Sequence, residues 1–249
     1  MVDTWTPLLI IVVGTAVLLY GFSKTAMPVA GVLAGPMLAA ALGATTASGF
    51  IMPLLLLGDM FALARYRQHA NWPLIIKLIP GVLVGILLTA ALFKFVDART
   101  LGRILGLLIL TSLVLEVWRR RHPRTDEDAH PHRLAVGFFG TLAGMTTMAA
   151  NAGGTAMTLY LVNMRVAMLA FMGTFAWFFF ILNALKVPFL VGLGFLNTDT
   201  LRTDLWFVPV LVGGALLGYG IFNRMNEKVF TNIALSLSAV ASIWLIIHG

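Results

Sequence analysis

Residues 119–133 read RRRHPRTDEDAHPHR, a strongly polar stretch in a chain of 249 residues that is 59% hydrophobic and only 11% charged. A soluble domain carries about 25% charged residues, so composition alone places the chain in a membrane. Outward from this stretch the sequence is a succession of apolar runs. Before it they fall at 7–22, 26–43, 45–65, 74–96 and 98–118; after it at 134–149, 153–163, 166–186, 205–223 and 227–248. Residues 119–133 are therefore a linker, and they divide the chain into a first membrane repeat at 1–118 and a second at 134–249.

A helix needs about 20 apolar residues to cross a bilayer. Runs three, four and five of each series reach that length, whereas the first two of each are short and rich in Gly, Ala, Thr and Pro. Such short runs suit half-helices that enter the membrane and turn back. The expected fold is an all-α membrane protein of two inverted-topology repeats, each a re-entrant helical hairpin plus three transmembrane helices. The linker holds Arg119, Arg120, Arg121, Arg124 and Arg133, and cytoplasmic loops are the basic ones. With the linker inside, Arg65, Arg67, His69, Arg165 and the turn Arg224–Lys228 also fall inside; the mildly basic loop 94–103 falls outside, against the rule. Both termini are then external, the first hairpin enters from outside and the second from the cytoplasm. The net charge of +7 is explained by these loops, and nucleic acid is not an expected partner. The N-terminus lacks a basic n-region, so 7–22 is expected to stay in the mature protein.

Internal spacing supports a duplication. Gly21 to Gly31 and Gly144 to Gly154 each span ten residues; Gly31 to Asp59 spans 28 and Gly154 to Asn183 spans 29. A small-xxx-small pair follows in each half, Gly81/Gly85 after Pro80 and Gly214/Gly218 after Pro209. Inverted repeats of this kind hold their ligand near the midplane, where interrupted helices meet.

Four polar constellations interrupt the apolar runs. In Gly21-Phe-Ser-Lys-Thr-Ala-Met-Pro28, Pro28 lacks a backbone donor and Gly21 loosens the chain, so a break between half-helices is expected with Lys24 in it. A lysine in hydrocarbon costs about 2.5–3.5 kcal/mol on insertion scales. Beside half-helix N-termini it makes an anion site, with Ser23 and Thr25 as hydroxyl donors; in a shallow loop it would reach the headgroups instead. In Gly144-Met-Thr-Thr-Met-Ala-Ala-Asn-Ala-Gly-Gly-Thr155, Asn151 is polar among small residues, Gly153 and Gly154 let backbone amides approach a ligand, and Thr155 suits an N-cap. Tight packing by small residues is the other use of this pattern. Asp59, deep in run three, is a candidate for proton coupling or for pairing with Lys77 on the next run, or else a structural acid at a broken helix. Asn183, with Thr174 upstream on the same helix, stands at the repeat-related place; Lys186 beside Pro188 suits an outer helix end.

The linker's His122, His130 and His132 with Asp126, Glu127 and Asp128 read as a solvated mixed-charge loop, and no metal site is expected. With no cysteine there is no disulfide or thiolate site. No His-Glu-x-x-His, Gly-x-Ser-x-Gly or Walker pattern appears, so no enzyme and no cofactor is expected.

Each half resembles the TauE/SafE family of bacterial membrane proteins, the sulfite exporters, over roughly residues 7–248. The first half matches through Gly21–Gly31, Pro53–Leu57, Asp59, Ala64-Arg-Tyr-Arg67 and Pro80-Gly-Val-Leu-Val-Gly85; the second through Gly144–Gly154, Thr174, Asn183 and Lys186. Ser23-Lys24-Thr25-Ala26 stands where many relatives have glycines, and the lysine points to a substrate with more negative charge or a carboxylate. The resemblance implies transport of sulfite, a sulfonate such as sulfoacetate, or a related organic anion across the bacterial inner membrane.

The expected function is thus secondary transport of a small anion by alternating access, with a passive anion channel or a short-carboxylate carrier as the alternative. Lys24, Thr25, Ser23, Asn151, Gly153, Gly154, Thr155, Thr174 and Asn183 are the expected substrate ligands, and Asp59 with Lys77 the coupling residues. The bilayer and the anion are the expected partners; protons and a second copy of the chain are admitted.

Overall fold

A computed structural model of the chain describes residues 5–92, 95–121, 133–150, 153–192 and 194–248. Ten α-helices account for nearly all of them: α1 Pro7–Thr25, α2 Ala34–Leu42, α3 Ala44–Tyr66, α4 Trp72–Leu92, α5 Ala98–Arg121, α6 Arg133–Ala150, α7 Gly153–Asn163, α8 Met168–Gly192, α9 Thr198–Phe222 and α10 Glu227–His248. Short 3-10 turns fill Pro28–Val32 and Arg67–His69, and no strand occurs among the described residues. Seven helices are long and apolar enough to cross a membrane, which makes this a multi-pass membrane protein.

The seventh is α1. Its run at 7–22 was expected as a half-helix, yet α1 continues for 19 residues to Thr25. Thr6 caps its first turn by accepting from the Leu9 amide, and Pro7 sits where its missing N–H is harmless. The helix continues through Gly21 because the polar groups that follow are satisfied within the protein. The break comes only at Ala26–Met27, ahead of Pro28. Lys24 therefore lies in the last turn of α1 and not in the interruption. Of the other short runs, 153–163 is the 11-residue α7 and 134–149 is the 18-residue α6, whereas 26–43 is divided into the turn Pro28–Val32 and the 9-residue α2.

The described chain forms two compact units, and each interleaves segments from both halves of the sequence: residues 1–70 with 172–225, and residues 71–171 with 226–249. In the first unit α1 packs along α9, with α2 and α3 beside them. Val13, Val17, Tyr20, Leu38, Phe50 and Leu211 form its core, closed at one end by Trp5 and Phe50 against Phe207, at ring separations of 5.4 and 5.6 Å from Phe207. In the second unit α4 packs along α6, α5 along α10, and α6 against α7.

The pairs α1–α9 and α4–α6 are built alike. Lipid tails are as apolar as leucine, so helices in a bilayer associate by close packing of small residues. A Cβ on Gly21 would run into the Leu211 carbonyl, and one on Gly214 into the Leu18 carbonyl. In the other pair a Cβ on Gly144 would run into the Val82 carbonyl, and one on Gly85 into the Thr141 carbonyl. Leu18 and Thr141 each stand three residues before their glycine, and Leu211 and Val82 each two residues after a proline, Pro209 or Pro80. Gly85 thus answers to Gly214. The sequence pairing of Gly81/Gly85 with Gly214/Gly218 is one helical turn out of step with these contacts.

Candidate functional site

In the first unit the end of α1, the middle of α3 and the middle of α8 converge on one carboxylate. Lys24 Nζ donates to Asp59 Oδ1 at 2.5 Å, and Asn183 Nδ2 donates to Asp59 Oδ2 at 2.7 Å. Asp59 is 0% exposed, Asn183 3% and Lys24 8%. Gly58 makes room for the lysine stem: a Cβ there would sit 3.1 Å from Lys24 Cγ. The Lys24 ammonium also lies 5.6 Å from the centre of the Phe179 ring, whose face attracts a cation. Lys186, one turn beyond Asn183 on α8, is half-buried.

Both oxygens of Asp59 are thus engaged by Lys24 and Asn183. Lys77, the partner expected from sequence, is exposed on α4 of the second unit. Ser23 and Thr25 also differ from expectation. The Ser23 hydroxyl donates to the Tyr20 carbonyl at 2.8 Å, and the Thr25 hydroxyl to the Ala215 carbonyl at 2.7 Å. The Thr25 carbonyl accepts from the Tyr66 hydroxyl at 2.8 Å. These groups satisfy a helix end and tie α1 to α9 and α3, and both hydroxyl hydrogens are given to backbone carbonyls. Thr174 is buried on α8.

The second unit carries the other expected group. Helix α7 begins at Gly153, so Thr155 lies inside it and does not cap it. Thr155 and Thr158 are fully buried, Thr147 nearly so, and none of the three hydroxyls has a hydrogen-bond partner. Thr147 Oγ1 lies against Gly153, where a Cβ would collide with it. Buried hydroxyls without a partner are uncommon in folded proteins. Asn151 lies outside the described residues.

Two buried acids escaped the sequence analysis. Glu116 in α5 accepts from Asn163 of α7 at 2.9 Å. Asp204 in α9 is 3% exposed, and neither of its oxygens has a hydrogen-bond partner. Desolvation of that kind costs about 1–3 kcal/mol. Asp204→Leu is expected to raise the thermal midpoint of the detergent-solubilised protein by a few degrees; a fall of similar size would mean that the carboxyl binds something. The cue was available in Thr203-Asp204-Leu205-Trp206, an acid inside an apolar helix, the same cue that marked Asp59.

No curated protein and no solved structure matches the chain. A buried lysine–carboxylate pair and seven apolar spans agree with one assignment that also accounts for nearly the whole sequence: the chain belongs to the sulfite exporter TauE/SafE family, whose model matches residues 9–245.

Proposed function

We propose that the protein carries a small anion, sulfite or a sulfonate such as sulfoacetate or a related organic anion, across the cytoplasmic membrane by alternating access. The observation that carries this reading is Lys24, a lysine buried within a membrane-spanning helix. An intramembrane charge is expensive and marks ion or substrate pathways. The family is one of sulfite exporters, which fits a cation placed to receive an oxyanion. Lys24 and Asn183 supply donors in the first unit; Gly153, Gly154 and Thr155, joined by Thr147 and Thr158, supply neutral donors in the second. The matched glycine contacts of α1–α9 and α4–α6 support a duplicated architecture, as alternating access by inverted repeats requires. The linker at 119–133 is cytoplasmic in this reading and both termini are external.

The test is counterflow. Liposomes holding the purified protein and loaded with unlabelled sulfite should transiently accumulate labelled sulfite above its external concentration, because a carrier exchanges at a saturable site. Flux without counterflow would identify a pore, and absence of any sulfite flux would remove the reading.

A further inference from the structure

Asp204 takes no part in the site around Asp59, and its own surroundings leave it alone. Thr200, Asp204, Phe207 and Leu211 follow one another at helical spacing, and all four are buried. They form a stripe of α9, the helix that packs along α1 and beside α3. Phe207 and Leu211 belong to the apolar core, so the Asp204 carboxyl enters that core one turn nearer the start of the helix. Neither of its oxygens has a hydrogen-bond partner. The Thr200 hydroxyl is given to the Asn197 carbonyl at 2.7 Å. Residues 5–19 of α1 and its cap, residues 44–58 of α3 and the turn at 194–197 contain no titratable side chain. Arg202 is exposed, two residues before Asp204 and thus on the other side of α9. Lys24 and Asp59 lie deeper, level with Leu211: a Cβ on Gly58 would meet both Lys24 and Leu211. Leu211 is seven residues beyond Asp204, about 10 Å along the helix.

An ionised carboxyl in a low-dielectric interior must be paired or coordinated; left alone, it takes up a proton instead. A hard cation would need several oxygen ligands, and this stripe supplies no second one. We infer that Asp204 is a proton-binding site separate from the Lys24–Asp59 pair: it carries one proton while α1, α3 and α9 are packed as described, and opening their shared end to water releases it. The release on opening rests on the carrier reading and moves the proton-linked role from Asp59 to Asp204. Both oxygens of Asp59 are held by Lys24 and Asn183, which leaves it a paired carboxylate. Two contacts close the end at Asp204. Trp5 and Phe50 meet Phe207 one turn deeper, and the segment before α9 crosses α3, where a Cβ on Gly49 would collide with the Phe195 carbonyl. Asp204 is six residues from the first residue of α9, about 9 Å. Parting these contacts brings water to the carboxyl, and a hydrated carboxyl is ionised at neutral pH. The proton therefore favours the closed end, and rising pH favours the open one.

Unfolding in detergent tests the proton, and counterflow tests its release on opening. The unfolded chain exposes Asp204 as an ordinary carboxylate, so the folded wild type binds one proton more than the unfolded. Stability is then lost as pH rises. Relative to Asp204→Leu, the unfolding constant of the wild type should grow up to about tenfold per pH unit between about pH 5 and 7. Asp204→Asn, neutral throughout, should run parallel to Asp204→Leu. In sulfite counterflow, the wild-type rate divided by that of either variant should change with pH, because all three meet the same sulfite species and differ only in the titrating group. A merely structural Asp204 would give a constant ratio. Wild-type and variant unfolding constants that run parallel would mean a carboxylate ionised in the fold and would overturn the proton site. Diverging constants with a constant rate ratio would overturn the release on opening. Loss of sulfite counterflow in the wild type removes the carrier reading and the release with it, and the unfolding constants still decide whether Asp204 holds the proton.

Discussion

Replacing Lys24 with methionine is expected to cost about 3–5 kcal/mol of stability, because it strands a fully buried carboxylate. Asp59→Leu should cost a similar amount by stranding the ammonium. The double variant Lys24→Met/Asp59→Leu should recover most of either loss, since an apolar pair of similar volume replaces a desolvated ion pair. Denaturation of the four proteins in one detergent gives the coupling between the two side chains. The function of the double variant is the informative part. It is expected to fold and to move no anion, which separates the stabilising role of the pair from its role as a site. A double variant that still transports sulfite would take Lys24 out of the binding machinery.

Gly21→Val and Gly144→Val form the second large expectation. Each side chain would meet a backbone carbonyl of the neighbouring helix, Leu211 for one and Val82 for the other. A carbonyl held in a helix cannot move aside as a flexible side chain can. The helix pairs must spread, at a cost at the upper end of the overpacking range of about 1–3 kcal/mol or beyond it. The two variants should be damaged to a similar extent, because the contacts are alike. Gly137→Ala is the control: a Cβ there meets nothing within 4 Å, and alanine in a helix is favoured over glycine by about 1 kcal/mol. Thermal midpoints of the three variants check the order. A tolerated Gly21→Val would mean that α1 and α9 are not in the close contact described.

The membrane class, most helices and the polar side chains of Lys24, Asp59 and Asn183 inside apolar runs were legible in the sequence. An apolar run bounded by charge is a local signal, and so is a charge inside one. What joins these residues is not local. Lys24 and Asp59 belong to different helices, and sequence offered the nearer Lys77 as a partner because adjacent runs are the only neighbours a sequence displays. The length of α1 was missed for the same reason. A lysine preceded by glycine and followed by proline looks like a break unless the distant carboxylate that satisfies it is known. Ser23 and Thr25 were read as ligand donors because a hydroxyl's acceptor, here the carbonyls of Tyr20 and Ala215, leaves no mark in the sequence. The matching of Gly81/Gly85 with Gly214/Gly218 is one turn out of step with the helix contacts because Gly213, Gly214 and Gly218 fit the spacing in more than one way. Only the carbonyl each glycine touches decides between them.

Thr25 ties its helix to two others, by its hydroxyl to Ala215 and by its carbonyl to Tyr66. Its neighbour Lys24 is therefore fixed at the root as well as at the tip. A free lysine has about 2 kcal/mol of rotamer freedom to lose when it is immobilised. Here that ordering is completed when the chain folds, so a ligand of the ammonium need not freeze a wandering side chain on arrival and can bind weakly enough to leave again without the cation losing its aim.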